Sequence, residues 1–135
     1  MRRVEEERTG SEDGRGVIED LLVEQIDSVT RIRTLQGAVR GNHVHSETVQ
    51  WTYVLSGMLW ATDGKHDFWV GPGEMVVDEP GSPHAWKATV DTDCLVFTRG
   101  PRSGANYEDD TIRLARPLID SGHDWTAAEG ISRTG

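Results

Sequence analysis

From residue 29 to residue 99, apolar and polar side chains alternate in short runs separated by glycine, proline and aspartate. Val29-Thr30-Arg31-Ile32-Arg33-Thr34-Leu35 has period two and is rich in β-branched residues, the pattern of a half-buried strand. The same reasoning predicts strands over 48–56, 58–62, 66–70, 74–78, 84–90 and 93–99. Between them stand breakers: Gly57, the Asp63-Gly64-Lys65 hairpin signature, Gly71-Pro72-Gly73, and Glu79-Pro80-Gly81-Ser82-Pro83. Residues 17–24 fit a strand or a helical turn. About eight short strands at roughly ten-residue spacing, with no long helical pattern, predict an all-β barrel or sandwich, and a double-sheet jelly roll fits that count.

The two ends have a different texture. Residues 1–16 are rich in charge and glycine, with Met1 and Val4 as their apolar side chains, and read as a mobile arm. The barrel is expected over 17–118, with a final strand or short helix between Tyr107 and Leu118. Residues 119–135 read as a partly ordered tail. The chain length of 135 residues suits one domain with one core. The single cysteine, Cys94, excludes an intrachain disulfide and lies in an apolar strand as a buried side chain. No apolar stretch follows the N-terminus and none reaches the ~20 residues of a membrane span, so the expectation is a cytoplasmic protein with no membrane partner. The net charge of −9 and the lack of a basic footprint argue against nucleic acid.

Chemistry enters with the histidines. His43 and His45 are two apart, and on a strand side chains at that spacing share a face, so both imidazoles can chelate one ion. On a helix the same spacing would diverge. A third ligand must come from another segment, and His84 opens a later strand with Trp86 and Ala88 on its face.

Gly37 is followed by five residues and His43-Val44-His45, then Gln50 after four more and Gly57 after a further six. Gly73 is followed by five residues and Glu79-Pro80-Gly81, then His84 after two more. These two spacings resemble the paired motifs of the cupin superfamily, and in particular its small, single-domain, RmlC-like metal-binding jelly rolls. The resemblance covers residues 37–88 and implies a double-stranded β-helix barrel. It also implies a metal site built from His43, His45, Gln50 and His84, which hold one divalent transition-metal ion (Fe, Mn, Ni or Zn). Three positions depart from the motifs. Gln50 replaces the usual glutamate, Pro80 is one place late, and Ala88 stands where an asparagine is usual. Glutamine offers a neutral oxygen, so the ion would keep its full charge and act as a stronger Lewis acid. Family members of sugar-acid catabolism are similar in combining three histidines with glutamine. Glu47, two residues after His45, is the competing ligand on an undisturbed strand.

Substrate-binding candidates follow from alternation. Thr52 shares the face of Gln50, Trp86 shares that of His84, and Trp60 and Trp69 are aromatic residues of undetermined facing. Arg40, three residues before His43, suits bidentate capture of a carboxylate or phosphate. Arg31 and Arg33 share a face that points into the mouth or out to solvent, and His66 reads as surface. The expected ligand is a small anionic molecule. No residue is assigned as the catalytic acid or base. The first expectation is a metal-dependent isomerase, epimerase or lyase for a small anionic carbohydrate or keto acid. The alternatives are an Fe(II) dioxygenase and a non-catalytic sensor barrel. Trp51, Tyr53 and Leu55 point outward and predict a homodimer that buries them.

Overall fold

The computed structural model describes residues 1–104 and 109–120, with the backbone alone at Glu6. The strands are β1 (Arg2–Arg3), β2 (Thr9–Asp13), β3 (Gly16–Asp20), β4 (Ser28–Thr34), β5 (Val39–Val44), β6 (Val49–Ser56), β7 (Leu59–Thr62), β8 (Asp67–Val70), β9 (Met75–Asp78), β10 (His84–Ala88), β11 (Thr92–Arg99) and β12 (Ile112–Arg113). A 3-10 turn, Glu5–Glu7, lies between β1 and β2. Among the described residues no helix is long and apolar enough to cross a membrane.

Two antiparallel sheets of five strands face each other, in the orders β1-β9-β6-β11-β4 and β12-β5-β10-β7-β8. This is the all-β jelly-roll arrangement expected from the alternation. On β11 every second residue is buried from Thr92 to Thr98, as a strand with one face on a core requires. Between the sheets, Ile32, Val54, Leu59, Ala61, Val70, Val76, Trp86, Ala88, Cys94 and Val96 form one apolar cluster. Asp63 builds the predicted hairpin turn, its Oδ1 accepting from the Lys65 and His66 amides at 2.8 and 2.7 Å.

The structure places ordered elements in residues 1–16, where the sequence pattern reads as a mobile arm. β1 extends the first sheet beside β9, and Val4 is buried. Val4 joins Val49, Trp51, Met75 and Val77 in a second apolar cluster on the outer face of the first sheet, with Leu22, Ile26, Tyr53 and Phe97 packed against it. The physical reason is that β6 is apolar on both faces, and the outer face needs a cover. The chain supplies that cover itself, so Trp51 is buried without a second copy, and Leu55 alone of the expected outer trio is exposed. β2 and β3 form a separate exposed hairpin. At the other end Ile119 is buried, so residues 119–120 dock on the barrel. Tyr107 and the rest of the tail, including His123 and Trp125, lie outside the described residues.

Candidate metal centre

β5 and β10 pair so that His43 and His84 are direct register partners. The register then slips: Ala85 pairs with Gly41, which leaves Asn42 as an extra residue on β5. Asn42 and Gly41 accordingly have φ of 57° and 91°. A side chain at Gly41 would bring its Cβ to 2.8 Å from the His84 carbonyl oxygen, so this bulge requires glycine. The bulge lets Arg40 and His43 both turn inward despite their odd spacing, since Arg40 is opposite Trp86 and His43 opposite His84. The Asn42 amide in turn pins the C-terminal segment, accepting from the Leu118 and Ile119 amides at 2.8 and 3.1 Å.

His45 follows the end of β5. Its carbonyl accepts the Gly81 amide at 2.7 Å, which ties the first histidine segment to the turn before His84. The three rings meet with centroids 4.6, 4.7 and 5.2 Å apart, and their ligand atoms lie within 4.8 Å of one another. All three are at most 2% exposed. His45 Nδ1 sits 2.9 Å from the Asp110 carbonyl oxygen, which makes Nδ1 the protonated nitrogen and leaves Nε2 as a lone-pair donor. His84 Nδ1 lies 3.3 Å from the Ser82 carbonyl oxygen in the same sense. Among the described residues, Nε2 of His45 and His84, and both ring nitrogens of His43, are buried without a hydrogen-bond partner.

Electrostatics keep these rings neutral. Burial first, then the fields of His84, His45, Arg113 and Arg102, push His43 down to about 2. Burial likewise lowers His45 and His84 to about 4, against the opposing contacts to the Asp110 and Ser82 carbonyls. Neutral imidazole is the form that binds a metal.

From the facing sheet, Gln50 projects into the same interior, opposite Thr98 on one side and Asp78 on the other. It is buried, its Oε1 has no partner, and its Nε2 reaches Thr52 Oγ1 at 3.5 Å. Glu47, the competing ligand, is exposed, because the chain bulges between His45 and β6. Asp110 shapes that bulge. Its carboxylate accepts the amides of Ser46, Glu47 and Thr48 at 3.0, 2.9 and 2.8 Å, and the Ser46 hydroxyl besides. Burial opposes ionisation of Asp110, but these hydrogen bonds outweigh it and hold the acid well below its ordinary range.

The other expected site residues divide. Thr52 is buried on the inward face beside Gln50. Trp86 shares the face of His84 but packs into the apolar cluster below it. Trp60 turns outward: its neighbours Leu59 and Ala61 fill the core, and its cross-strand partners are Trp69 and Lys87. It is therefore corrected from pocket to outer surface, a consequence of strict alternation on β7. Arg40 points inward, but its guanidinium donates to Thr34 Oγ1 at 2.9 Å and to the Arg33 carbonyl at 3.2 Å. Arg31 and Arg33 are exposed, and Arg31 pairs with Asp93 at 2.6 Å. His66 is on the surface next to Asp63.

Three polar residues at the site escaped the sequence reading. Arg102 is 2% exposed, and its charge acts on all three histidines. Its amide donates to Thr48 Oγ1 at 3.1 Å, and Gly100 fits against Thr48 so closely that a Cβ there would lie 2.8 Å from the Thr48 Cα. Asp110 is the second. Asp78 is the third, and alternation over Val76 and Asp78 does carry a signal for it: an acid at an inward strand position.

The cupin-domain family profile matches residues 31–98. Among solved structures, the chain is similar to the dTDP-4-dehydrorhamnose 3,5-epimerase of Sulfolobus tokodaii, with a TM-score of 0.61 and 16% identity over 82% of this chain and 76% of that one. It is also similar to the rmlC epimerase of Mycobacterium tuberculosis (TM-score 0.54, 14% identity, 71% of this chain and 64% of that one). A third likeness is to the capsular polysaccharide assembling protein CapF of Staphylococcus aureus (TM-score 0.54, 18% identity, 79% of this chain and 34% of that one). At these identities the likeness is one of fold. No curated protein matches the chain significantly.

Proposed function

The chain belongs to the cupin family, and on that footing we propose a metal-dependent enzyme of isomerase, epimerase or lyase type for a small anionic carbohydrate or keto acid. The observation that carries the proposal is the set of buried, neutral imidazoles whose Nε2 atoms have no partner, faced by a buried Gln50 Oε1 with none. Buried polar groups are nearly always hydrogen-bonded, so a cluster of exceptions points to a missing ion. His43, His45, His84 and Gln50 would hold it, and the donor set suits Fe, Mn, Ni or Zn. When bound, a divalent ion supplies Lewis-acid chemistry, polarising a carbonyl or steadying an enolate.

The chain's own residues set the substrate class. Four neutral ligands leave the ion's charge uncompensated. Arg102 adds a buried guanidinium next to the same three rings. A bidentate carboxylate or phosphate answers both charges. Thr52 offers a hydroxyl on the inward face for sugar or keto-acid oxygens, whereas the Thr98 hydroxyl is shared with Ser28 and Ser103 at 2.7 and 2.9 Å. The sugar-nucleotide epimerases among the fold relatives support a carbohydrate. A homodimer belongs to the proposal through the outward Trp60–Trp69 pair and exposed Leu55.

Metal analysis by mass spectrometry on protein without a histidine tag is the test. One ion per chain, lost in His84→Ala, is expected. No ion after growth in metal-supplemented medium overturns the proposal. Oxygen uptake by the Fe(II)-loaded protein would place it with the dioxygenases instead. On loaded protein, Arg102→Gln should weaken binding of the dicarboxylate oxalate by about tenfold or more, as loss of a buried charge-assisted contact does.

A further inference from the structure

Asp78 ends β9 with its side chain inside the barrel, 2% exposed, directly across from Gln50 on β6. Neither carboxylate oxygen has a hydrogen-bond partner. Two groups face it at longer range. His84 Nδ1 is 3.9 Å from Oδ2, and the Met1 amino group is 4.0 Å from Oδ1. The Met1 amino group has nearer partners, Asp63 at 3.2 Å and Ser82 Oγ at 3.3 Å. The amino group is thus shared among several acceptors, and packing does not explain the Asp78 carboxyl group, since burying it without a close partner costs stability.

We infer that Asp78 is a positioning residue for His84: its carboxyl group backs the Nδ1 side of the imidazole and limits how the ring can turn. This rests on the proposed metal centre. Nδ1 of a ligating histidine commonly donates to a carboxylate or carbonyl, which fixes the tautomer and makes Nε2 a better donor. Here the carbonyl of Ser82 is at 3.3 Å and the carboxylate stands just behind it, so a small rotation of His84 or Asp78 exchanges one for the other. Asp78, the cross-strand neighbour of Gln50, puts a carboxyl group beside the ligands without making it a ligand, and burial pushes that acid up to about 8.

Affinity for Zn2+ and Co2+ is measured by chelator competition on the full chain, for wild type, Asp78→Asn, Asp78→Ala and Asp63→Asn. Asp78→Ala removes the group behind His84 and should weaken binding by about 10- to 100-fold, while Asp78→Asn, which keeps the shape, should weaken it less. The melting temperature of the metal-free Asp78→Asn protein should stay level or rise, whereas a merely structural role would lower it. Asp63→Asn, which disturbs the amino terminus, should leave affinity unchanged. Unaltered affinity in both Asp78 variants overturns the inference while leaving the metal centre intact, and so does an equal loss in Asp63→Asn. A wild-type protein that binds neither ion overturns the metal centre itself. For the metal-free protein, long-range proton–nitrogen spectra give an independent reading: the His84 nitrogen shifts should move in Asp78→Asn and hold in Asp63→Asn, and a stationary His84 overturns the inference.

Discussion

Inward positions on β6 and just before it run Thr48, Gln50, Thr52 and then Val54; on β11, read the other way, Thr98 gives way to Val96 and Cys94. β10 starts with His84 and ends with Ala88, and β9 turns Val76 and then Asp78 inward. The same strands thus build two interiors, a polar mouth and an apolar floor. Both are equally buried: Leu59 and Val54 have 0% exposure, His43 and His84 have 1%. The difference lies in satisfaction. The floor has apolar neighbours that share its burial. The mouth holds ring nitrogens, a glutamine oxygen and a carboxylate without partners. Each such group costs about 1–3 kcal/mol. A barrel keeps that cost only where something other than stability is served, so the floor holds the fold and the mouth is the candidate site.

The comparison is broken most directly by exchanging the two roles. Leu59→Ala removes a fully buried floor side chain and should lower stability by about 2–5 kcal/mol, measured by urea unfolding of the metal-free protein. His84→Ala, equally buried, should abolish ion binding while lowering metal-free stability far less than Leu59→Ala does. Comparable destabilisation by both would mean the mouth is a structural core.

Asp110 sits between the regions, since it orders the loop that aims His45. Asp110→Ala strands three amides and should cost about 1–3 kcal/mol, measured in the same unfolding experiment. It should also loosen His45, whose Nδ1 rests on the Asp110 carbonyl, so ion affinity falls with it. Stability lost with affinity intact would separate the loop from the site.

A pH slope gives a further test. The imidazoles of His45 and His84 titrate at about 4 in the folded chain against an ordinary 6.5. Between those values the unfolded chain binds protons that the folded chain refuses, so stability rises with pH. The contribution is complete above 6.5 and is lost as pH falls toward 4. Melting temperatures of the metal-free protein across that window should show this slope, and His84→Ala should flatten it. No flattening would mean that His84 is not held neutral by burial.

Local chemistry made much of this legible. Alternation located β4 and the strands from β6 to β11 to within two or three residues, because each has one face on a core and turn residues at its ends, whereas β5 was read only from the His-x-His spacing. The His-x-His pair and the later His84 were readable for the same reason: on a strand, spacing of two is direction. Elsewhere the pattern was silent. Residues 1–16 carry too few apolar side chains to announce a strand, yet Val4 and β1 are held by the uncovered face of β6 and the open edge of β9. Trp60 and Trp86 look alike in sequence, and only the phase of β7 against β10 sends one to the surface and the other to the floor.

By itself the sequence determined the all-β class, the strand borders and the residues able to hold an ion, since period-two alternation and motif spacing are local properties of the chain. Tertiary structure decided which polar groups share the mouth. Asp78 comes from the strand end just before the His84 turn, whereas Arg102 and Asp110 come from a loop and a terminal segment remote from the histidines in sequence. Only strand register, the β5 bulge and closure of the two sheets bring their charges within reach of the imidazoles, and electrostatic reach depends on distance through space.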